Sequence, residues 1–270
     1  PARSSYFGII DLAGLPKDCY YMYQSEWTKK PVLHLFPHWN WLPGQQIDMW
    51  CYYNQADEVE LFINGKSQGI RKKKVHGEEK GAAANAVSAN AANAGAFDRS
   101  TEYHVMWRVN FEPGEVKVVA RKQGREISSQ TIKTAGPPHH LVLKKTYQNT
   151  LASAVQTPSG VPADLQSAVK KGSTSVPGDL QSPTSPSSPT TFVEVNVVDK
   201  DGNLCPNAEN EIYFSSTAEI LGTDNGNQTS LERFTDPKRK AFFGKCIIVL
   251  RGHGTLRAES IDLQQATIKL

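Results

Sequence analysis

The chain has 270 residues, a net charge of +3 and 39% hydrophobic residues, enough for two domains or for one and a half with linkers. No apolar run approaches the ~18–20 residues of a bilayer span, so no membrane span is expected. The small charge argues against a nucleic-acid partner, and the single basic run, Arg71-Lys72-Lys73-Lys74, follows a hairpin and reads as a solvated loop.

In chain order, Pro1 to Trp27 reads as the end of a domain that begins elsewhere. A Gly- and aromatic-rich loop passes through Leu15-Pro16-Lys17-Asp18 into a short helix, where Pro16 and Asp18 suit a helix start. Tyr20, Tyr23 and Trp27 fall at i, i+3 and i+7, on one face that calls for a large partner surface. The period then becomes strand-like. Pro31–Pro37 is a short apolar run, and Ile47, Met49, Cys51 and Tyr53 alternate against Asp48, Trp50 and Tyr52. Val59–Ile63 leads into Asn64-Gly65, a strong hairpin signal. Tyr103, Val105, Trp107 and Val109 alternate again. Turns at Glu112-Pro113-Gly114 and Gln123-Gly124-Arg125 then flank the strands Val116–Ala120 and Ile127–Thr134. Such spacing predicts a mainly β fold, with an immunoglobulin-like antiparallel β-sandwich over residues 29–135. The Cys–Trp–Cys framework of true immunoglobulins is absent, so only the architecture is inferred.

Gly136-Pro137-Pro138 marks a stiff boundary, and a second immunoglobulin-like sandwich is expected over 136–270. Its strands are Leu141–Leu143, Phe192–Val198, Glu211–Ser215, Cys246–Arg251, Thr255–Glu259 and Ala266–Leu270, with a turn at Asp199–Asn203. Two stretches do not suit a compact fold. Gly81–Gly95 is Ala- and Asn-rich and reads as a mobile insertion. Tyr147–Thr191 is rich in Ser, Thr and Pro and reads as a disordered loop carrying two copies of a seven-residue repeat.

His38-Trp39-Asn40-Trp41 is the densest cluster of recognition-type side chains. Trp39 and Trp41 are candidate substrate-binding residues, because a pyranose ring packs its C–H groups on an indole plane while Asn and His bond its hydroxyls. Domain packing by the same tryptophans is the favoured reading, since aromatic anchors are common at interfaces. Asp199-x-Asp201-Gly202-Asn203 lacks the spacing of a calcium loop and reads as a turn. His139-His140 has no further ligands nearby, and Cys19, Cys51, Cys205 and Cys246 show no zinc spacing, so neither a metal nor a cofactor is expected. Cys51 and Cys246 read as buried thiols; a Cys205–Cys246 disulfide stays open without being indicated. Asp11, Asp18 and Glu26 are acids by type only, with nothing to pair them as glycosidase carboxylates. No nucleophile elbow, phosphate loop or dinucleotide fingerprint is present.

Arg3–Asp18 followed by Tyr20–Trp27 resembles the last barrel segment of the family 2 glycoside hydrolases, bacterial β-galactosidases above all. Pro37–Trp41 and Val59–Ser67 resemble the sandwich after that barrel. Val197–Asn203, Asp224–Asn227 and Lys238–Phe242 resemble a further C-terminal immunoglobulin-like domain. The resemblance implies that residues 1–28 are the last loop and helix of a truncated (β/α)8 barrel. It implies a retaining mechanism whose two Glu residues lie upstream of Pro1, so no catalytic residue is assigned here. Arg3 and Ser4, in a loop on the catalytic face, become candidates for lining the sugar pocket, with plain loop structure as their alternative. The function expected is a non-catalytic accessory region that supports the barrel and shapes its cleft or its homo-oligomer contacts. Its partners would be the barrel and, through the parent enzyme, a β-galactoside. The alternative is an autonomous carbohydrate-binding module using exposed tryptophans. The parent's compartment is left open between periplasmic and secreted.

Overall fold

A computed structural model of the chain describes residues 7–75, 99–149 and 188–270. Arg3 and Ser4, the Ala/Asn-rich stretch 81–95 and most of the Ser/Thr/Pro-rich insertion lie outside the described residues. The described residues are mainly β, with antiparallel sheets and, among them, one short helix, α1 (Asp18–Trp27).

Among the described residues seven strands precede the Gly-Pro-Pro boundary: β1 (Leu33–Phe36), β2 (Gln46–Tyr53), β3 (Glu58–Ile63), β4 (Lys66–Arg71), β5 (Val105–Asn110), β6 (Glu115–Lys122) and β7 (Arg125–Lys133). They form a three-stranded sheet, β1-β2-β5, and a four-stranded sheet, β4-β3-β6-β7. The period-2 pattern dictates which face is buried. Ile47, Met49, Cys51 and Tyr53 from β2, Val105, Trp107 and Val109 from β5, and Val59, Leu61, Val116 and Val118 from the other sheet share one core. Tyr103 does not continue β5 as its alternation suggests; it is exposed in the turn before the strand. The Asn64-Gly65 hairpin forms with both residues at positive φ, 48° and 78°, as its tight turn demands. β4 then bulges opposite Glu60–Phe62, and the Trp107 indole N–H donates to the Gly69 carbonyl within that bulge.

Eight more strands follow: β8 (His140–Asn149), β9 (Thr190–Val198), β10 (Glu211–Ser216), β11 (Glu219–Asp224), β12 (Lys238–Lys240), β13 (Lys245–Arg251), β14 (Thr255–Glu259) and β15 (Ala266–Lys269). Sheets β11-β13-β9-β8 and β12-β10-β14-β15 enclose a second core of Leu141, Val193, Val195, Val197, Ile212, Ile248, Leu250 and Leu256. Two sequence expectations are corrected. Thr190 and Thr191 pair with Asn149 and Gln148, so both ends of the expected disordered loop are strand. β11 and β12 were not expected, because Gly222 and a run of cations hide their alternation. A buried arginine accounts for β12: Arg239 is 0% exposed, and its guanidinium donates to the carbonyls of Thr223 and Arg233. It thereby folds the loop after β11 back on the sheet.

The basic run 71–74 is also more than a solvated loop. Arg71 ends β4, Lys72 pairs with Glu58, and Lys73 pairs with Glu26 of α1 at 2.6 Å. All four cysteines are free, so no Cys205–Cys246 disulfide forms.

Candidate functional site

The His38–Trp41 motif splits by depth. Trp39 is 0% exposed; its ring meets Phe111 edge-on at 5.0 Å and its N–H donates to the Glu112 carbonyl. It plugs the first core and offers no face to a sugar, which corrects its candidacy as a binding residue. Asn40 turns the other way and bonds both polar groups of Ala135. Trp41 is partly buried and packs at the margin of the first core. Its ring stacks on His38 at 4.4 Å and 15°, and its N–H donates to the His38 carbonyl at 2.7 Å.

Trp41 borders a shallow cavity of ≈ 420 Å³ shared with Pro37, Gln45, Gln46, Ile47, Asp48 and Arg108. Asp48 and Arg108 are direct cross-strand partners on the outer face of β2 and β5. Arg108 Nε and Nη2 donate to the two carboxylate oxygens at 2.6 and 2.7 Å. That hydrogen-bonded pair holds the Asp48 carboxyl below its ordinary range, with Arg99 adding a further positive field. The same sheet face continues as an aromatic strip. Phe36 meets Trp50 and Tyr52, Trp50 stacks on His104 at 4.2 Å, and His34 stacks on Tyr21 of α1 at 3.8 Å.

The segment before β1 is tied to both cores. Asn54 Nδ2 donates to the carbonyls of Ser25, Thr28 and Lys30, and its Oδ1 accepts the Val32 N–H. Asp18 bonds His34 at 2.8 Å, and Asp11 packs so closely on Gly226 that a Cβ there would meet its carboxylate. Tyr21 stacks on His34 of the sheet and Ser25 is buried, whereas Tyr20 and Tyr23 are only partly buried. Trp27 is 76% exposed and touches Tyr23 at 4.7 Å. Of the acids considered by type, Asp11 accepts the Leu15 N–H while Asp18 and Glu26 hold His34 and Lys73, so each has its own structural partner.

The Asp199 turn is a structural joint. Its carboxylate accepts the N–H groups of Asp201, Asn203 and Gly136 and the Asn203 amide, which occupies both oxygens with donors and leaves a cation nothing to bind. Among the described residues no group of three or more His, Cys, Asp or Glu is placed to hold a metal. No helix among them is long and apolar enough to cross a membrane.

Comparison with known proteins agrees along the chain. Residues 184–269 match the family described as glycoside hydrolase family 2 C-terminal domain 5, and residues 44–128 match a domain of unknown function, DUF4982. Beta-galactosidase BoGH2A of Bacteroides ovatus is 46% identical over 277 residues, covering 100% of this chain and 26% of that protein. A putative beta-glucuronidase of Formosa agariphila is 29% identical over 253 residues, covering 90% of this chain and 19% of its own length. The chain thus spans about a quarter or less of these relatives. The crystal structure of a beta-glycosidase from Bacteroides vulgatus superposes with a TM-score of 0.70 at 28% identity, covering 100% of this chain and 28% of that one.

Proposed function

Because the chain is a C-terminal region of a family 2 glycoside hydrolase, we propose that it serves as the non-catalytic accessory part of a retaining, β-galactosidase-like enzyme. On this reading residues 1–28 complete the catalytic barrel, with Arg3 and Ser4 in a loop on its catalytic face. Residues 29–135 and 136–270 are two sandwiches that support the barrel and shape its cleft or its oligomer contacts. The preference for a galactoside follows the 46% identity with BoGH2A.

One observation carries the proposal: the segment around α1 is fastened to both sandwiches at once. Asn54 and Lys73 hold its C-terminal end on the first sandwich, and Asp11 lies against Gly226 of the second. A barrel continuous with this segment would be mounted rigidly on both units. The exposed Trp27 of α1, with the partly buried Tyr23 against it, supplies an aromatic surface for that contact. The acids Asp18 and Glu26 are consumed by the mounting, in keeping with carboxylate chemistry carried out elsewhere in the enzyme. The alternative, an autonomous carbohydrate-binding module, draws support from the partly exposed Trp41 beside a shallow cavity.

Deleting residues 29–270 from the hydrolase that carries them tests the accessory role. The expected result is a lower melting temperature and reduced turnover of a β-galactoside, with every barrel carboxylate still in place. A truncated enzyme of unchanged stability and activity would overturn it.

A further inference from the structure

We infer that the cavity between Trp41 and the Asp48–Arg108 pair is a binding subsite for a neutral hexopyranose. The carbohydrate class rests on the hydrolase reading above; the geometry of the site does not.

Three features converge there. The first is a platform whose orientation is already set. The Trp41 N–H is bonded to the His38 carbonyl and one ring face is stacked on the His38 imidazole, so ordering the indole costs little when a ligand arrives. Part of the indole also packs against the first core; the apolar edge left at the cavity suits the C–H groups of a sugar ring better than a polar solute. The second is a fixed polar wall. Asp48 and Arg108 hold each other through two parallel hydrogen bonds, so an acceptor and a donor stand side by side. The carboxylate has about four lone-pair sites and Arg108 takes two of them, which leaves acceptor capacity for ring hydroxyls. Gln46, exposed at the rim, adds an amide with both donor and acceptor. The third is shape. A volume of ≈ 420 Å³ over Pro37 and Ile47 is near the lower end of small-molecule clefts and accommodates a single sugar ring.

A cross-strand ion pair by itself needs no ligand. Its position beside a pre-oriented, partly exposed tryptophan in one shallow, open cavity is what points to a sugar. The charges decide the class. The lining carries one cation and one carboxylate already matched to each other, and Arg99, which also acts on Asp48, does not line the cavity, so a uronic acid would have to compete with Asp48 for Arg108.

Titration of the folded chain with methyl β-D-galactopyranoside, methyl β-D-glucopyranoside and glucuronic acid, read by calorimetry in the parent and in every variant and located in the parent by the Trp41 indole N–H resonance, tests the assignment. An open cavity of this size should give saturable binding with a dissociation constant of about 1–10 mM for the neutral sugars. Trp41→Ala and Arg108→Gln should each weaken it roughly tenfold or more. Gln46→Ala, at an exposed position outside the core, should weaken it about threefold and guards against a Trp41 variant that fails to fold. No saturation by about 100 mM, equal affinity in all three variants, or preference for glucuronic acid would overturn the proposal. Failure of this binding leaves the accessory role standing, and a sugar bound here is compatible with it; that role is read from the deletion experiment.

Discussion

Asn40 grips Ala135 by both of its polar groups: Nδ2 donates to the Ala135 carbonyl at 2.8 Å, and Oδ1 accepts the Ala135 N–H at 2.9 Å. A side-chain amide thus stands in for a neighbouring strand at the point where β7 gives way to the Gly-Pro-Pro boundary. Asn40→Ala leaves the N–H and C=O of buried Ala135 unpaired and should cost roughly 2–3 kcal/mol in urea unfolding. Asn40→Asp keeps the acceptor but sets a carboxylate oxygen against the carbonyl, so it should cost at least as much. Unchanged unfolding in both variants would show that the clamp carries no stability.

The same boundary is held from the other side by Asp199, 2% exposed. Burial works to raise its pKa, but the hydrogen bonds from Asn203, Gly136 and Asp201 prevail and set it at about 2, against an ordinary 3.8. Because the folded pKa is depressed, the stabilisation is complete above pH 3.8 and disappears as the pH falls toward 2. It should amount to about 2 kcal/mol. Asp199→Asn should therefore lose stability at pH 7 and show a flatter decline between pH 4 and 2 than the parent chain. Parallel stability–pH curves for the two would contradict this.

Much of this fold is legible in the sequence, because burial on one sheet face imposes a period of two. The strands β2, β3, β6, β9 and β13 announce themselves through Val, Ile and aromatic alternation. The site is less legible. Alternation puts Asp48 outward on β2 and Arg108 outward on β5, but only the register makes partners of two residues sixty positions apart. Trp39 and Trp41 carry the same signal at the same spacing. Which of them enters the core depends on Phe111 and Glu112, which come from a distant turn. The helix misleads for a related reason. Its aromatic i, i+3, i+7 row looks like the docking face, yet it is Tyr21 that stacks on the sheet and Ser25 that is buried.

Gly226 has φ of 75°, and a Cβ there would lie 2.2 Å from Asp11 Oδ2. Gly226→Ala should thus push the segment before α1 off the second sandwich. The expected readout is faster amide exchange across residues 9–17 and a loss of about 1–3 kcal/mol. Combining it with Asp11→Ala should recover part of the loss. Burial raises the pKa of Asp11, so its charge weighs on the folded state at neutral pH and ceases to do so on acidification. Asp11→Asn, which retains an acceptor for Leu15, should match or exceed the parent's melting temperature at pH 7, with the gap closing toward pH 4. A lower melting temperature at pH 7 would refute this.

The thiols separate by environment. Burial pushes Cys51 up to about 12 and Cys205 up to about 11, and raises Cys246 further still. A thiol reagent at pH 8 should therefore label Cys19 in the folded chain and reach the other three only on unfolding. Since all four are free, melting should not depend on reductant. Rapid labelling of Cys51 or Cys246 in the native chain would contradict the packing of both cores.

The most direct measurement is hydrolysis of a chromogenic β-galactoside by the purified 270-residue chain. An accessory region whose acids are committed to His34, Lys73 and backbone donors should give no turnover above the uncatalysed rate. Turnover that persists through repurification and disappears on substitution of Asp11, Asp18 or Glu26 would contradict the non-catalytic assignment.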